Sequence, residues 1–91
     1  GGWPLEDELL AKCYQNSLTL AAEGGIKTIA FPAISTGAYG FPLERATYIA
    51  VTEVNNFLVN NSTVEQVTFV CFGNDAYQCY LDTLKNVLEE S

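Results

Sequence analysis

Two short apolar runs, Thr28-Ile29-Ala30-Phe31 and Val67-Thr68-Phe69-Val70-Cys71-Phe72, are separated by one helix-length amphipathic segment. Runs this short, rich in β-branched and aromatic residues, read as strands. Two strands joined by a helical crossover normally lie parallel in one sheet. Neither run shows a clean polar alternation, so each is expected to be buried on both faces. A two-stranded parallel sheet apolar on both faces would leave two hydrogen-bonding edges open. Parallel sheets are seldom so small. The sequence therefore reads as part of a larger sheet.

The flanking segments are helical. Leu10, Tyr14, Leu18 and Ala21, with Leu9 and Cys13 beside them, predict a helix from about Leu5 to Glu23. Glu6, Asp7 and Glu8 suit its N-terminus and Gly24-Gly25 its stop, while Gly1-Gly2-Trp3-Pro4 reads as loop. The first strand is placed at Lys27 to Ala33. The crossover helix is expected from Pro42 to about Val59, with Ala46, Ile49, Ala50, Val54, Phe57 and Leu58 inward. Glu44, Arg45, Glu53 and Asn56 should face water, and Asn60-Asn61-Ser62 ends the helix. After the second strand, Gly73-Asn74 turns the chain, and Asn74 or Asp75 caps a last helix. Its expected face is Tyr77, Tyr80, Leu81, Leu84 and Leu88. The order is α-β-α-β-α.

A chain of 91 residues holds at most one small domain. Its net charge of -7, with Lys12, Lys27, Arg45 and Lys85 as its basic residues, argues against nucleic acid or an anionic membrane as partner. No apolar run approaches the ~20 residues that span a bilayer. No basic start precedes an apolar signal segment, so a cytoplasmic location is expected. Three cysteines (Cys13, Cys71, Cys79) and no histidine make neither a disulfide framework nor a zinc site. They read as reduced core residues. No metal and no cofactor are expected.

Chemistry concentrates between the first strand and the crossover helix, in Ala33-Ile34-Ser35-Thr36-Gly37-Ala38-Tyr39-Gly40-Phe41-Pro42. A glycine-bearing loop from a strand end to a helix start can aim backbone N–H groups and a helix dipole at a phosphate. A plain structural turn is the blander alternative. The Walker A ending and the three-glycine dinucleotide fingerprint are both absent. Gly37-Ala38-Tyr39-Gly40 matches an RNA-clamping Gly-x-x-Gly, which the acidic balance disfavours. Ser35 lacks both the first glycine of a nucleophile elbow and a histidine base, so no catalytic residue is assigned. Phe72 ends the second strand, and ligands in open α/β sheets lie beyond the carboxyl ends of the strands. It is a stacking platform for a base or ribose, or else a core ring.

Taken together, Leu18-Thr19-Leu20-Ala21-Ala22-Glu23, Gly25 to Pro42, Val67 to Phe72 and Tyr77 to Leu84 resemble the macrodomain family. The similarity runs from about Trp3 to Leu88 and is greatest to its bacterial O-acetyl-ADP-ribose deacetylase branch. The Ser-Thr-Gly-x-Tyr-Gly-Phe-Pro core is its most specific part. The resemblance implies an α/β fold, the C-terminal half of a three-layer α/β/α macrodomain with parallel strands, residues 1–91 forming a partial domain. It implies ADP-ribose as ligand, with Ser35, Thr36, Gly37, Ala38, Tyr39 and Gly40 as the loop around the pyrophosphate and proximal ribose. Tyr39 would lie against that ribose, with Phe72 and Asn74 near the adenine and distal ribose.

The family's Asn-Ala-Ala-Asn segment, first glycine-rich loop and early aspartate do not occur in this sequence. Those elements position the attacking water in hydrolytic members. The partner implied is accordingly the N-terminal half of a macrodomain, on the same or a separate chain. Within that whole, hydrolysis of O-acetyl-ADP-ribose or ADP-ribosyl esters is expected, while this chain by itself is expected to be inactive. The alternatives are a non-catalytic ADP-ribose reader and a fragment that self-associates, for instance as a homodimer through open sheet edges.

Overall fold

The computed structural model describes residues 3–33 and 42–90, with side chains for 7–33 and 42–89. The loop residues Ser35, Thr36, Gly37, Ala38, Tyr39 and Gly40 lie outside the described residues. Helices α1 (Trp3–Glu23), α2 (Leu43–Asn60) and α3 (Asn74–Glu90) alternate with strands β1 (Thr28–Pro32) and β2 (Gln66–Val70). The strands pair in parallel, with Phe31 opposite Phe69 and Pro32 opposite Val70. Element order and strand direction follow the sequence reading.

Local chemistry sets the boundaries. Helix α1 begins at Trp3, two residues before the expected start, because a proline such as Pro4 needs no intrahelical partner in a first turn. It ends in a Schellman motif. Ile26 N–H donates to the Ala21 carbonyl at 2.9 Å and Gly25 N–H to that of Ala22 at 3.1 Å. The motif needs a left-handed residue, and Gly25 supplies it at φ 72°. At the end of α2, Asn60 Nδ2 donates to the Asn56 carbonyl and Thr63 N–H donates to Asn61 Oδ1. The first is a side-chain bond back onto the helix's last turn, and the second is an Asx turn that leads the chain away from it.

All three helices cover one face of the sheet, with α2 between α1 and α3. A row of rings ties the layers together. Tyr14 of α1 meets Phe31 edge-on at 5.0 Å, Phe31 stacks on Phe69 at 6.4 Å, and Phe69 meets Tyr80 of α3 at 4.8 Å. Each such pair adds about 0.5–1.5 kcal/mol beyond the area it buries. Around the row lie Leu18, Ala50, Val51, Val54 and Val87.

Several inward assignments change. Within this chain the strands are covered on one face: Ile29, Phe31, Val67 and Phe69 are half-buried, while Thr28, Ala30, Pro32, Gln66, Thr68 and Val70 are exposed. On α2, Thr47 and Val51 are buried, a part of the inward face that the sequence reading passed over. Thr47 is buried because its hydroxyl is satisfied locally. Its Oγ1 donates to the Leu43 carbonyl at 2.8 Å and accepts from Cys79 Sγ at 3.4 Å. On α3, Tyr80 and Val87 are buried, whereas Tyr77, Leu81 and Leu88 are exposed. Cys13 is exposed rather than core, and Cys71 and Cys79 are half-buried; all three are free thiols.

Burial pushes the Tyr14 phenol well above its ordinary range, and the neighbouring Tyr80 hydroxyl adds to the effect. Burial also raises Tyr80. An unfolded tyrosine ionises near pH 10. A folded pKa above that value gives stability that is full below pH 10 and is lost as pH rises toward the folded pKa. The urea midpoint is therefore expected to fall above pH 10, and to fall less steeply in Tyr14→Phe. An unchanged slope in that variant would show that Tyr14 does not report folding.

Candidate functional site

Strands β1 and β2 end side by side, and Ala33 N–H donates to the Val70 carbonyl at 2.8 Å just past the last pair. From that common end the chain leaves in two directions. One branch passes through residues 34–41 to Pro42, which holds the N-cap position of α2 in extended conformation (φ -61°, ψ 137°) without a side-chain cap. Its carbonyl accepts the Ala46 N–H at 3.0 Å. The other branch passes Cys71, Phe72 and Gly73 into α3, where the Gly73 carbonyl accepts the Tyr77 N–H at 3.0 Å.

Two strand C-termini and the starts of the two helices that follow them thus border one region. This is where an open α/β sheet binds its ligands, and where helix N-termini present free N–H groups and positive dipole ends. Phe72 lies two residues past the end of β2, which stops at Val70 rather than at Phe72 itself, and Asn74 opens α3. Within this chain Phe72 is 80% exposed. Asn74 is the first residue of α3 and is exposed.

Charge narrows where an anion can sit. A cleft between the start of α2 and α3 carries Glu44, Asp75 and Asp82, three carboxylates that would repel a phosphate. Phe72 is not part of that cleft. Arg45 is engaged elsewhere: its Nε donates to Asp7 Oδ1 at 2.8 Å and its Nη2 to Asp7 Oδ2, tying α1 to the start of α2. A glycine-bearing loop between β1 and α2 can offer an anion backbone N–H groups.

Comparison with known proteins gives a consistent result. The Macro domain family matches residues 2–50. A Macro domain-containing protein of Methanosarcina mazei is 54% identical over 88 residues, covering 97% of this chain and 47% of the relative. The O-acetyl-ADP-ribose deacetylase of Klebsiella pneumoniae is 49% identical over 80 residues, covering 88% and 46%. Among solved structures, the Oceanobacillus iheyensis macrodomain with ADP superposes with a TM-score of 0.90 at 39% identity, covering 97% of this chain and 46% of that one. The chain spans about half the length of the curated relatives it matches.

Proposed function

The chain belongs to the Macro domain family, and from that premise we propose that it supplies one wall of an ADP-ribose site. In this reading Ser35, Thr36, Gly37, Ala38, Tyr39 and Gly40 wrap the pyrophosphate and proximal ribose through backbone N–H groups. Tyr39 lies against the proximal ribose, while Phe72 and Asn74 flank the adenine and distal ribose. The observation that carries the proposal is the exposed Phe72 ring at the shared end of β1 and β2. The naming of similar proteins as O-acetyl-ADP-ribose deacetylases supports the ligand class.

The other wall would come from the N-terminal half of a macrodomain, on the same or another polypeptide, and the whole would act in the cytoplasm. No side chain assigned to this wall is a general base. Any hydrolysis of O-acetyl-ADP-ribose or an ADP-ribosyl ester would proceed on water positioned by the other half. This half would stabilise developing negative charge with preorganised amides. Acetate release from O-acetyl-ADP-ribose by the completed protein tests that chemistry. Absence of turnover with retained ADP-ribose binding would make the protein a reader.

Phe72→Ala tests the wall itself. Base–aromatic stacking is worth about 1–3 kcal/mol, so ADP-ribose affinity of the completed protein should drop about tenfold. Stability should change by no more than about 0.5 kcal/mol, as for other exposed positions. Unchanged affinity by calorimetry would remove Phe72 from the site.

A further inference from the structure

The first turn of α2, where the β1–α2 loop lands, is held from outside the helix. Pro42 at its N-cap supplies no side-chain cap. The Ala46 N–H is the one bonded to the Pro42 carbonyl. The N–H groups of Leu43 and Glu44 precede it and have no acceptor earlier in the helix. A helix start without a capping side chain is less stable than a capped one, so its order depends on neighbours.

Two neighbours supply that order. From α1, Asp7 accepts from Arg45 through both carboxylate oxygens, Oδ1 from Nε at 2.8 Å and Oδ2 from Nη2. This two-pronged geometry makes an arginine–carboxylate pair stronger and better defined than a single-point contact. From α3, Cys79 Sγ donates to Thr47 Oγ1 at 3.4 Å, and Thr47 Oγ1 donates to the Leu43 carbonyl at 2.8 Å. The turn is pinned on both flanks.

A second bond joins α1 to α2. Gln15 Nε2 donates to Glu53 Oε1 at 2.7 Å, eight residues further along both helices than Asp7 and Arg45. The equal offset means that α1 and α2 run parallel, with both N-termini at the C-terminal end of the strands. Asp7–Arg45 therefore links the helices at the end where the loop lands, and Gln15–Glu53 links them about 12 Å further down.

We propose that Asp7 and Arg45 are positioning residues for phosphate binding: their pair orders the first turn of α2 in advance, so that the ligand does not have to order it. The inference rests on the reading of the β1–α2 loop as a phosphate grip. It predicts the opposite of simple charge reasoning. Removing the Asp7 carboxylate from this acidic chain should, by charge alone, strengthen the binding of an anion. Loss of positioning should weaken it.

The test uses the chain completed with the N-terminal half of a macrodomain, titrated by calorimetry with ADP-ribose and with adenosine, which carries no phosphate. Asp7→Asn and Arg45→Gln should each weaken ADP-ribose binding about three- to fivefold, the range a partly exposed ion pair supplies. Adenosine affinity should stay unchanged. The double variant should lose no more than either single one, because the two residues act as a unit. Amide hydrogen exchange at Ala46 should quicken roughly threefold in all three variants as the turn opens more often. Gln15→Ala, which cuts the other bond between the same helices, should alter neither ADP-ribose affinity nor exchange at Ala46. The inference is overturned if Asp7→Asn binds ADP-ribose as tightly as the parent protein or more tightly. It is also overturned if adenosine binding falls equally, or if the two single losses add in the double variant. No ADP-ribose binding by the parent protein would overturn the phosphate-grip reading and this inference with it, whereas binding by the parent with an insensitive Asp7→Asn overturns this inference alone.

Discussion

Replacing Gly37 with glutamate is expected to lower the ADP-ribose affinity of the completed protein by about a hundredfold or more. A glycine between a strand end and a helix start lets backbone N–H groups approach a phosphate, and any side chain there stands in the way. The glutamate carboxylate adds repulsion: two like charges about 4 Å apart near a protein surface oppose each other by roughly 4 kcal/mol. The second phosphate of a diphosphate raises the cost further. Gly37→Ala separates the two effects, because it adds bulk without charge, and its loss should be smaller. Calorimetry with ADP-ribose reads both. Full affinity in Gly37→Glu would take the loop out of the site and leave Phe72 and Asn74 without a neighbouring phosphate grip.

Leu18→Ala is expected to destabilise the chain by about 3–5 kcal/mol, as large-to-small changes do where the site cannot collapse. Leu18 is completely buried, packed in the cluster that joins α1 to α2 and α3. A domain of this length has roughly 5–14 kcal/mol of total stability, so the loss removes a large part of it. Leu20, two residues along the same helix, is 67% exposed. Its alanine variant should shift stability by no more than about 0.5 kcal/mol. Urea denaturation distinguishes them. Equal effects at the two positions would mean that the face of α1 turned to the core has been misassigned.

Helix and strand positions were legible in the sequence because their ends carry local chemistry. Gly24-Gly25 reads as a helix stop, and Gly25 is the left-handed residue of the Schellman motif. Asn60 and Asn61 close α2 with their own side chains. What the sequence obscured was which apolar residues face inward. Thr28, Gln66 and Thr68 mark an exposed strand face, yet Ala30 and Val70 on that same face are apolar and blur the alternation.

Thr47 looked polar, but its hydroxyl bonds back to Leu43 and lets the residue be buried. On α3 the apolar stripe is broad, and within this chain Tyr80 and Val87 are covered while Leu81 and Leu88 are not. That Phe72 lies just past a strand was legible from the apolar run that precedes it. Its exposure needed the structure, because a strand-end phenylalanine packs inward or outward according to what lies above it.

The most direct measurement is calorimetric titration of ADP-ribose into the 91-residue chain by itself, and then into the chain completed with the N-terminal half of a macrodomain. Weak or absent heat in the first titration and clear saturable binding in the second are expected. Tight binding by the 91 residues alone would contradict the reading of this chain as one wall of a two-walled site, and so would no binding after completion.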